Sequence, residues 1–445
     1  MDDTSRRISN HNAKRRTSGK RINDRKTMRM YEPYLEAEWG FMNHWYPARF
    51  SHEVRAGSPV GIQICGVPLL LIRSGEKVYC VKDQCIHRGV RFSENPLCYK
   101  EGTLTCWYHG FTFDVESGDL VTIVAAPDDP VIGTTGVQTY PTYEVNGMIF
   151  VFVCDEDWEG DPAPIVEDLP VRYPENSERF PHPMWPPTPS VLDENSVCLG
   201  LHRKGFANWR VAVENGFDAG HLLIHRDSAV LIARELYVPL GMKPTDENAM
   251  LMVEDEDGPK GFINTYFTDS WQPVVENEVL GLKPGGKVTK AHPFRTGVFL
   301  PGVLMVENWP EDSTAQYEWY VPITDDTYEY WEVLVKHCEN EEERKAFEYR
   351  YENYLEPLYL RGFNNCDLEA RDAMQDFYGD GTGWQEEQLG DMDASVITWR
   401  KTAARYNRGI AEPPKGVPGA QKAPSYRFEE ARTGGPINDL SIKTK

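Results

Sequence analysis

The chain has 445 residues, 40% apolar and 26% charged, about three ordinary domain lengths, so more than one core is expected. Its 47 Lys+Arg against 69 Asp+Glu give −22, unevenly spread: residues 1–30 hold ten basic and three acidic residues, a local +7, and the rest a local −29. An acidic body excludes a nucleic-acid surface, which needs a basic stripe. The longest apolar run, about Gly147 to Cys154, excludes a membrane-spanning helix of roughly 20 residues.

Residues 1–30 have no apolar core segment and no amphipathic pattern, so a basic disordered tail is expected rather than a secretory or transit segment. The nine cysteines are odd in number and spread over a large chain, which argues against a disulfide scaffold and for reduced thiols in the cytoplasm. Short apolar runs separated by turn residues fill about 60–155 (VGIQIC, PLLLIR, KVYCV, TLTC, FTFDV, GMIFVFV) and predict an all-β unit over 45–160. Within it, Cys85-x-His87 and Cys106-x-x-His109 each supply one thiolate and one imidazole. Such a set suits tetrahedral zinc or a Rieske [2Fe–2S] cluster. The tight C-x-H arm favours the second, and Gly89 and Gly110 close behind the histidines suit tight loops. Arg88 and Arg91, beside these ligands, are candidates for docking an electron donor.

Nine prolines between Asp161 and Ser190 predict a semi-rigid linker over 161–190. Beyond it, 190–410 mixes patterns. Trp209–Ile224 looks helical, GVFLPGVLMVENW, AQYEWYVPI and YEYWEVLVK look like strands, and Glu341–Tyr378 is charged and aromatic at helical spacing. Strands followed by long helices predict an α+β domain with an antiparallel sheet. On a helix His221 and His225 would share a face with Asp218. Two histidines and a carboxylate with open positions is the arrangement for O2 activation at non-haem Fe(II). Asp367, Glu369, Asp372 and Asp376 compete for the carboxylate, and periodicity does not choose between them. No dinucleotide fingerprint or phosphate loop occurs, so flavin and nicotinamide are expected on a separate protein. Residues 411–445, rich in Pro and Gly, read as an extended tail.

A Rieske pattern, then D-x-x-H-x-x-x-H, then a late carboxylate resembles the terminal oxygenase component of Rieske non-haem iron oxygenases, over about 35–405. GFMNHWYPARF, VENGFDAGHLLIHRDS, LPGV and RGFNNCDLEARDAM are similar to the branch that oxygenates N-heteroaromatic rings. The resemblance implies an all-β Rieske domain joined to a catalytic domain of helix-grip type, with 31–44 packed on the latter. It implies Cys85, His87, Cys106 and His109 as cluster ligands, and His221, His225 and Asp367 as iron ligands. Asp367 is chosen because it lies four residues after Phe363; Cys366 stands where an acidic residue is expected. Asp218 is implied as the bridge between a Rieske histidine of one subunit and an iron ligand of its neighbour in a homotrimer. The other implied partners are an NADH-dependent flavin/iron–sulfur reductase, O2 and an N-heteroaromatic substrate. Asn215, Gly216, Leu222, Asn364 and Leu300–Val303 are expected to line the pocket. The expected reaction inserts one oxygen atom into a ring such as 2-oxo-1,2-dihydroquinoline at C8. Dioxygenation, cis or angular, is the alternative, and a non-catalytic Rieske carrier or zinc module the remote one.

Overall fold

The computed structural model describes residues 28–156, 158–169, 188–255, 258–264, 266, 269–285, 290–291, 295–414 and 431–432. The basic tail expected over 1–30 lies outside these residues except for 28–30. So do 170–187 of the Pro-rich segment and most of the tail expected over 411–445. No helix among the described residues is long and apolar enough to cross a membrane.

The N-terminal unit is β-rich, as the short alternating runs predict. Its strands are β1 (His44–Phe50), β2 (Val60–Ile64), β3 (Val67–Ser74), β4 (Lys77–Lys82), β5 (Thr103–Thr105), β6 (Phe111–Asp114), β7 (Leu120–Ile123), β8 (Thr139–Tyr140), β9 (Thr142–Val145) and β10 (Met148–Val153). They form three antiparallel sheets ordered β1-β10-β9, β2-β3-β4-β8 and β5-β6-β7.

The second unit is built on one antiparallel sheet of β11 (Ser196–Gly205), β12 (Met250–Asp255), β13 (Gly258–Asn264), β14 (Arg295–Phe299), β15 (Val303–Glu307), β16 (Thr314–Pro322) and β17 (Tyr328–His337). The spatial order is β12-β13-β14-β15-β16-β17-β11, with 431–432 paired outside β11. Helices α1 (Trp209–Phe217), α2 (Asn365–Tyr378) and α3 (Ala394–Tyr406) cover one face. Together the units give the expected α+β architecture.

Strand alternation explains how this sheet is buried on both sides. Along β16, Ala315, Tyr317, Trp319 and Val321 join a core with Phe50, Leu69, Ile149 and Val151 of the N-terminal unit. The alternate residue Tyr320 joins the helix-side core with Trp209, Phe217 and Trp399. Tyr34 and Phe41 sit in that helix-side core too, while Trp39 and Met42 of the same segment join the other core. The two units are therefore joined by a shared apolar layer as well as by the segment between them.

Polar groups also cross this junction. His202 on β11 is 1% exposed and stacks on Trp331, with ring centroids 4.5 Å apart. Its Nδ1 lies 2.5 Å from Glu329 Oε1 and its Nε2 3.2 Å from Glu53 Oε2, while Arg49 Nη1 lies 3.3 Å from Glu329. Burial opposes charge on His202, but Glu329 and Glu53 outweigh it and raise its pKa above 6.5. Burial likewise opposes charge on Glu329, but Arg49 and His202 bring it down to about 2. Because His202 is raised, its contribution is full below its unfolded value and fades as pH rises through the folded one. Because Glu329 is depressed, its contribution is full above pH 4.5 and is lost on acidification toward 2. The acid limb amounts to roughly 3 kcal/mol. Urea midpoints of wild type and His202→Gln are expected to differ most near pH 5 to 6 and to converge on both sides. A gap independent of pH would contradict this.

Candidate metal centres and pocket

Two hairpin loops of the N-terminal unit repeat one geometry. The Cys85 N–H donates to Val90 O (2.9 Å) and the Gly89 N–H to Cys85 O (2.8 Å). The Cys106 N–H donates to Phe111 O (2.7 Å) and the Gly110 N–H to Cys106 O (2.9 Å). Both glycines have left-handed backbones, φ +74° and +72°, which only glycine adopts without strain. At Gly110 a Cβ would also sit 2.6 Å from Val124 Cβ. The indole N–H of Trp107 donates to Arg91 O (2.8 Å) and ties the loops together.

The result places Cys85 and Cys106 beneath the surface, each 1% exposed, and the His87 and His109 rings above them, 4.5 Å apart between centroids. The His87 ring stacks on Phe111 at 4.6 Å. Burial and the neighbouring Cys106 push the Cys85 thiol up to about 11, so it keeps its proton near neutral pH unless a metal replaces it. Paired buried thiols and paired outer imidazoles fit a [2Fe–2S] cluster with one iron on each pair. Arg88 is exposed next to His87. Arg91 instead leans toward the buried Asp83, 3.9 Å away, so of the two arginines Arg88 is the one presented to solvent.

The second centre departs from its expected local geometry. The helix predicted over Trp209–Ile224 stops at Phe217, because Asp218 leaves helical geometry (ψ 116°). A 3₁₀ segment, His221–His225, follows. At three residues per turn, positions four apart no longer share a face, and Asp218 does not lie on a common face with the histidines. The imidazoles converge nonetheless. His221 Nε2 lies 3.7 Å from Asp367 Oδ1, and His225 Nε2 lies 3.4 Å from Asp367 Oδ2. One ligand atom from each of the three falls within 4.8 Å of the others.

Two local contacts set the rings. His221 Nδ1–H donates to the Asp218 carbonyl, which leaves Nε2 with its lone pair toward Asp367. The His225 ring stacks on Phe363 at 3.8 Å and 4°. Both ring nitrogens of His225 and Oδ1 of Asp367 are buried without a hydrogen-bond partner among the described residues. Orphaned buried atoms are costly, and a cation held by two imidazoles and a carboxylate satisfies them. Burial would raise the Asp367 carboxyl, but His225, Arg371 and His221 outweigh it and hold it well below the usual carboxylate range. The donor set fits Fe(II) with positions left open. The three competing acids Glu369, Asp372 and Asp376 are exposed, and Asp372 accepts the Phe206 N–H at 3.0 Å. Cys366 is half-buried and nothing in the structure gives it a role.

The histidines and Asp367 open into a cleft of about 500 Å³ including its mouth. Gly216, Leu222 and Asn364 are among the residues that line it. Asn215 is not: its side-chain oxygen accepts from Nε of the lining residue Arg371 at 2.6 Å, one layer behind the cleft wall. The turn Leu300–Val303 is also absent from the lining; the next residues inward on β15, Leu304 and Val306, take its place. Sequence reasoning missed the polar wall, Thr296, Gln316, Glu318 and Arg371, and the aromatic wall, Trp309 and Tyr359. A signal existed. In AQYEWYVPI the polar Gln316 and Glu318 are two apart, hence on one face of the strand, opposite its apolar residues.

Asp218 is half-buried at the end of α1. Its carboxylate accepts the Gly220 N–H at 2.7 Å while its carbonyl holds His221.

Comparison with known proteins accords with both centres. A model of the Rieske [2Fe-2S] domain matches residues 44–141, and a model described as homotrimeric ring hydroxylase matches residues 152–411. The terminal oxygenase component of carbazole 1,9a-dioxygenase from Sphingomonas sp. is 39% identical over 88% of this chain and 98% of its own. The solved terminal oxygenase of carbazole 1,9a-dioxygenase from Novosphingobium sp. KA1 superposes with a TM-score of 0.78 at 38% identity, over 87% of this chain and 98% of its own. A solved 2-oxoquinoline 8-monooxygenase component superposes with a TM-score of 0.86 at 59% identity, over 91% of this chain and 95% of its own.

Proposed function

The chain belongs to the homotrimeric ring hydroxylases that carry a Rieske [2Fe–2S] domain, and from that premise we propose that it hydroxylates 2-oxo-1,2-dihydroquinoline at C8. It is the terminal oxygenase of a multicomponent Rieske system and uses a [2Fe–2S] cluster and a mononuclear non-haem iron. When bound, the cluster supplies electrons one at a time and the iron activates O2.

The observation that carries the substrate assignment is the 59% identity to the 2-oxoquinoline enzyme across nearly the whole chain. The carbazole oxygenases at 39% and 38% identity support the second reading, dioxygenation of a carbazole-like ring. Labelled O2 with 2-quinolinone separates the readings: one labelled atom at C8 is expected, and a labelled diol would favour the second.

In the proposed assignment Cys85, Cys106, His87 and His109 hold the cluster, and His221, His225 and Asp367 hold the iron. Leu222, Leu304, Val306 and Phe363 keep water from the ring being attacked. Asn364 faces the cleft while donating to Glu332 Oε1 at 2.7 Å, which leaves its side-chain oxygen for substrate. Electrons reach the chain from a separate NADH-dependent reductase, directly or through a ferredoxin; related oxygenases have been solved with a ferredoxin bound. Nine free cysteines are in keeping with a cytoplasmic location.

Asp218 is proposed as the bridge between subunits. Its backbone already holds His221, so its carboxylate can accept an imidazole N–H from a neighbouring subunit's Rieske histidine and complete a bonded path. The Asp218→Asn variant is expected to keep both metal centres, measured as iron and sulfide content, and to lose turnover. Full activity in that variant would remove the bridge from the assignment.

A further inference from the structure

We propose that Gln316 is the residue that reads the lactam edge of the substrate, pairing its side-chain amide with the ring N–H and C=O together. The proposal rests on the reading above that the substrate is a fused aromatic lactam.

Gln316 lies on β16, is 1% exposed and lines the cleft that holds His221, His225 and Asp367. Its orientation is fixed by a chain of hydrogen bonds. The Trp309 indole N–H donates to the Tyr359 hydroxyl, and that hydroxyl donates to Gln316 Oε1. On the other side Gln316 Nε2 donates to Glu318 Oε1 at 2.5 Å, and Glu318 Oε2 accepts from the Tyr320 hydroxyl. A donor at the oxygen and a carboxylate at the nitrogen leave one arrangement of the amide.

A primary amide has two N–H donors and two acceptor lone pairs. The chain uses one of each, so one N–H and one lone pair remain for the cleft. A ring lactam presents an adjacent N–H donor and C=O acceptor on one edge. That edge matches a primary amide in a two-bond cycle, donor to acceptor in both directions. Carbazole offers a lone N–H, and a hydrocarbon offers neither, so the same wall discriminates against both. The apolar lining residues Leu222, Val238, Leu304 and Phe363 take the apolar parts of the ring.

Coumarin tests this directly, because it differs from 2-quinolinone only by a ring oxygen in place of N–H. Kd values for both ligands are measured by calorimetry on the full metal-loaded protein. Wild type is expected to prefer 2-quinolinone by about tenfold, the value of one hydrogen bond at the favourable end. In Gln316→Met, which keeps the shape and removes the amide, the ratio is expected to fall near one. If Glu318 and Tyr359, left without their partner, unfold that variant, Gln316→Asn serves instead: its shorter amide should bring an intermediate ratio. A wild-type ratio near one, or an unchanged ratio in the variants, overturns the proposal. Hydroxylation of 2-quinolinone without any Kd preference removes Gln316 and leaves the function standing. A Kd preference without oxygenation removes the function and leaves Gln316 as the lactam reader.

Discussion

An Asp367→Ala chain is expected to keep the visible and EPR signature of the [2Fe–2S] cluster, to drop from about three irons to about two, and to lose turnover. The loss should exceed about 100-fold, beyond what removal of an outer hydrogen-bond partner of a metal ligand gives. The physical reason is that, among the described residues, no other carboxylate falls within the ligand cluster: Glu369, Asp372 and Asp376 of the same helix are exposed, and Glu318, on the cleft wall, is engaged by Gln316 and Tyr320. The change also leaves Arg371, 1% exposed and packed over the rings of Tyr320 and Tyr330, without the negative charge one helical turn before it. Asp367→Asn separates the two effects, since it keeps the shape and removes the charge. Retention of the third iron with normal turnover in Asp367→Ala would show that the carboxylate ligand lies elsewhere.

The largest effect on stability is expected at Arg400. This side chain is 1% exposed and bridges two buried carboxylates. Its Nε and Nη2 lie 2.8 and 2.7 Å from the oxygens of Glu214, and its Nη1 and Nη2 lie 2.5 and 3.0 Å from those of Glu387. Its guanidinium also stacks over Trp384 at 4.9 Å. Burial already raises the Glu214 carboxyl despite the arginine. Arg400→Ala therefore removes the charge that bridges two buried acids, at a cost of about 3–5 kcal/mol. The urea midpoint should fall accordingly. Because Glu214 lies on α1, just before Gly216 and Asp218, bound iron should be lost at lower urea than the protein unfolds. Arg400→Met combined with Glu214→Gln and Glu387→Leu removes the stranded charges and should recover most of the loss. A single variant as stable as wild type would mean that the three groups do not act as one unit.

Much of this molecule is legible in its sequence because its chemistry is local. Each Rieske arm is a single loop, so Cys85 with His87 and Cys106 with His109 declare themselves by spacing, and the strands around them by turns and alternation. Asp367 was reachable only by counting along a family motif; periodicity left it level with three solvent-facing acids, and burial by distant strands separates them. The end of α1 was not legible. Residues 218–225 read as helical, but the His221 Nδ1–H contact with the Asp218 carbonyl belongs to a 3₁₀ turn whose imidazoles are drawn to a residue some 140 positions away. Asn215 was misplaced for a simple reason. It neighbours Gly216, yet adjacent helix residues point in directions about 100° apart, and its side-chain oxygen is taken up by the Arg371 guanidinium. The wall carrying Gln316 and Glu318 required knowing which face of β16 meets the helices, and every residue of that strand is buried.

The layer joining the two units bears on how portable the Rieske unit is. Severed near residue 160, it would expose Phe50, Leu69, Ile149 and Val151 to water and take Glu329 from Arg49 and His202 from Glu53. Such a fragment is a poor candidate for a free-standing redox carrier. Heating should likewise erase the colour of the cluster and the far-UV signal of the sheet in one step.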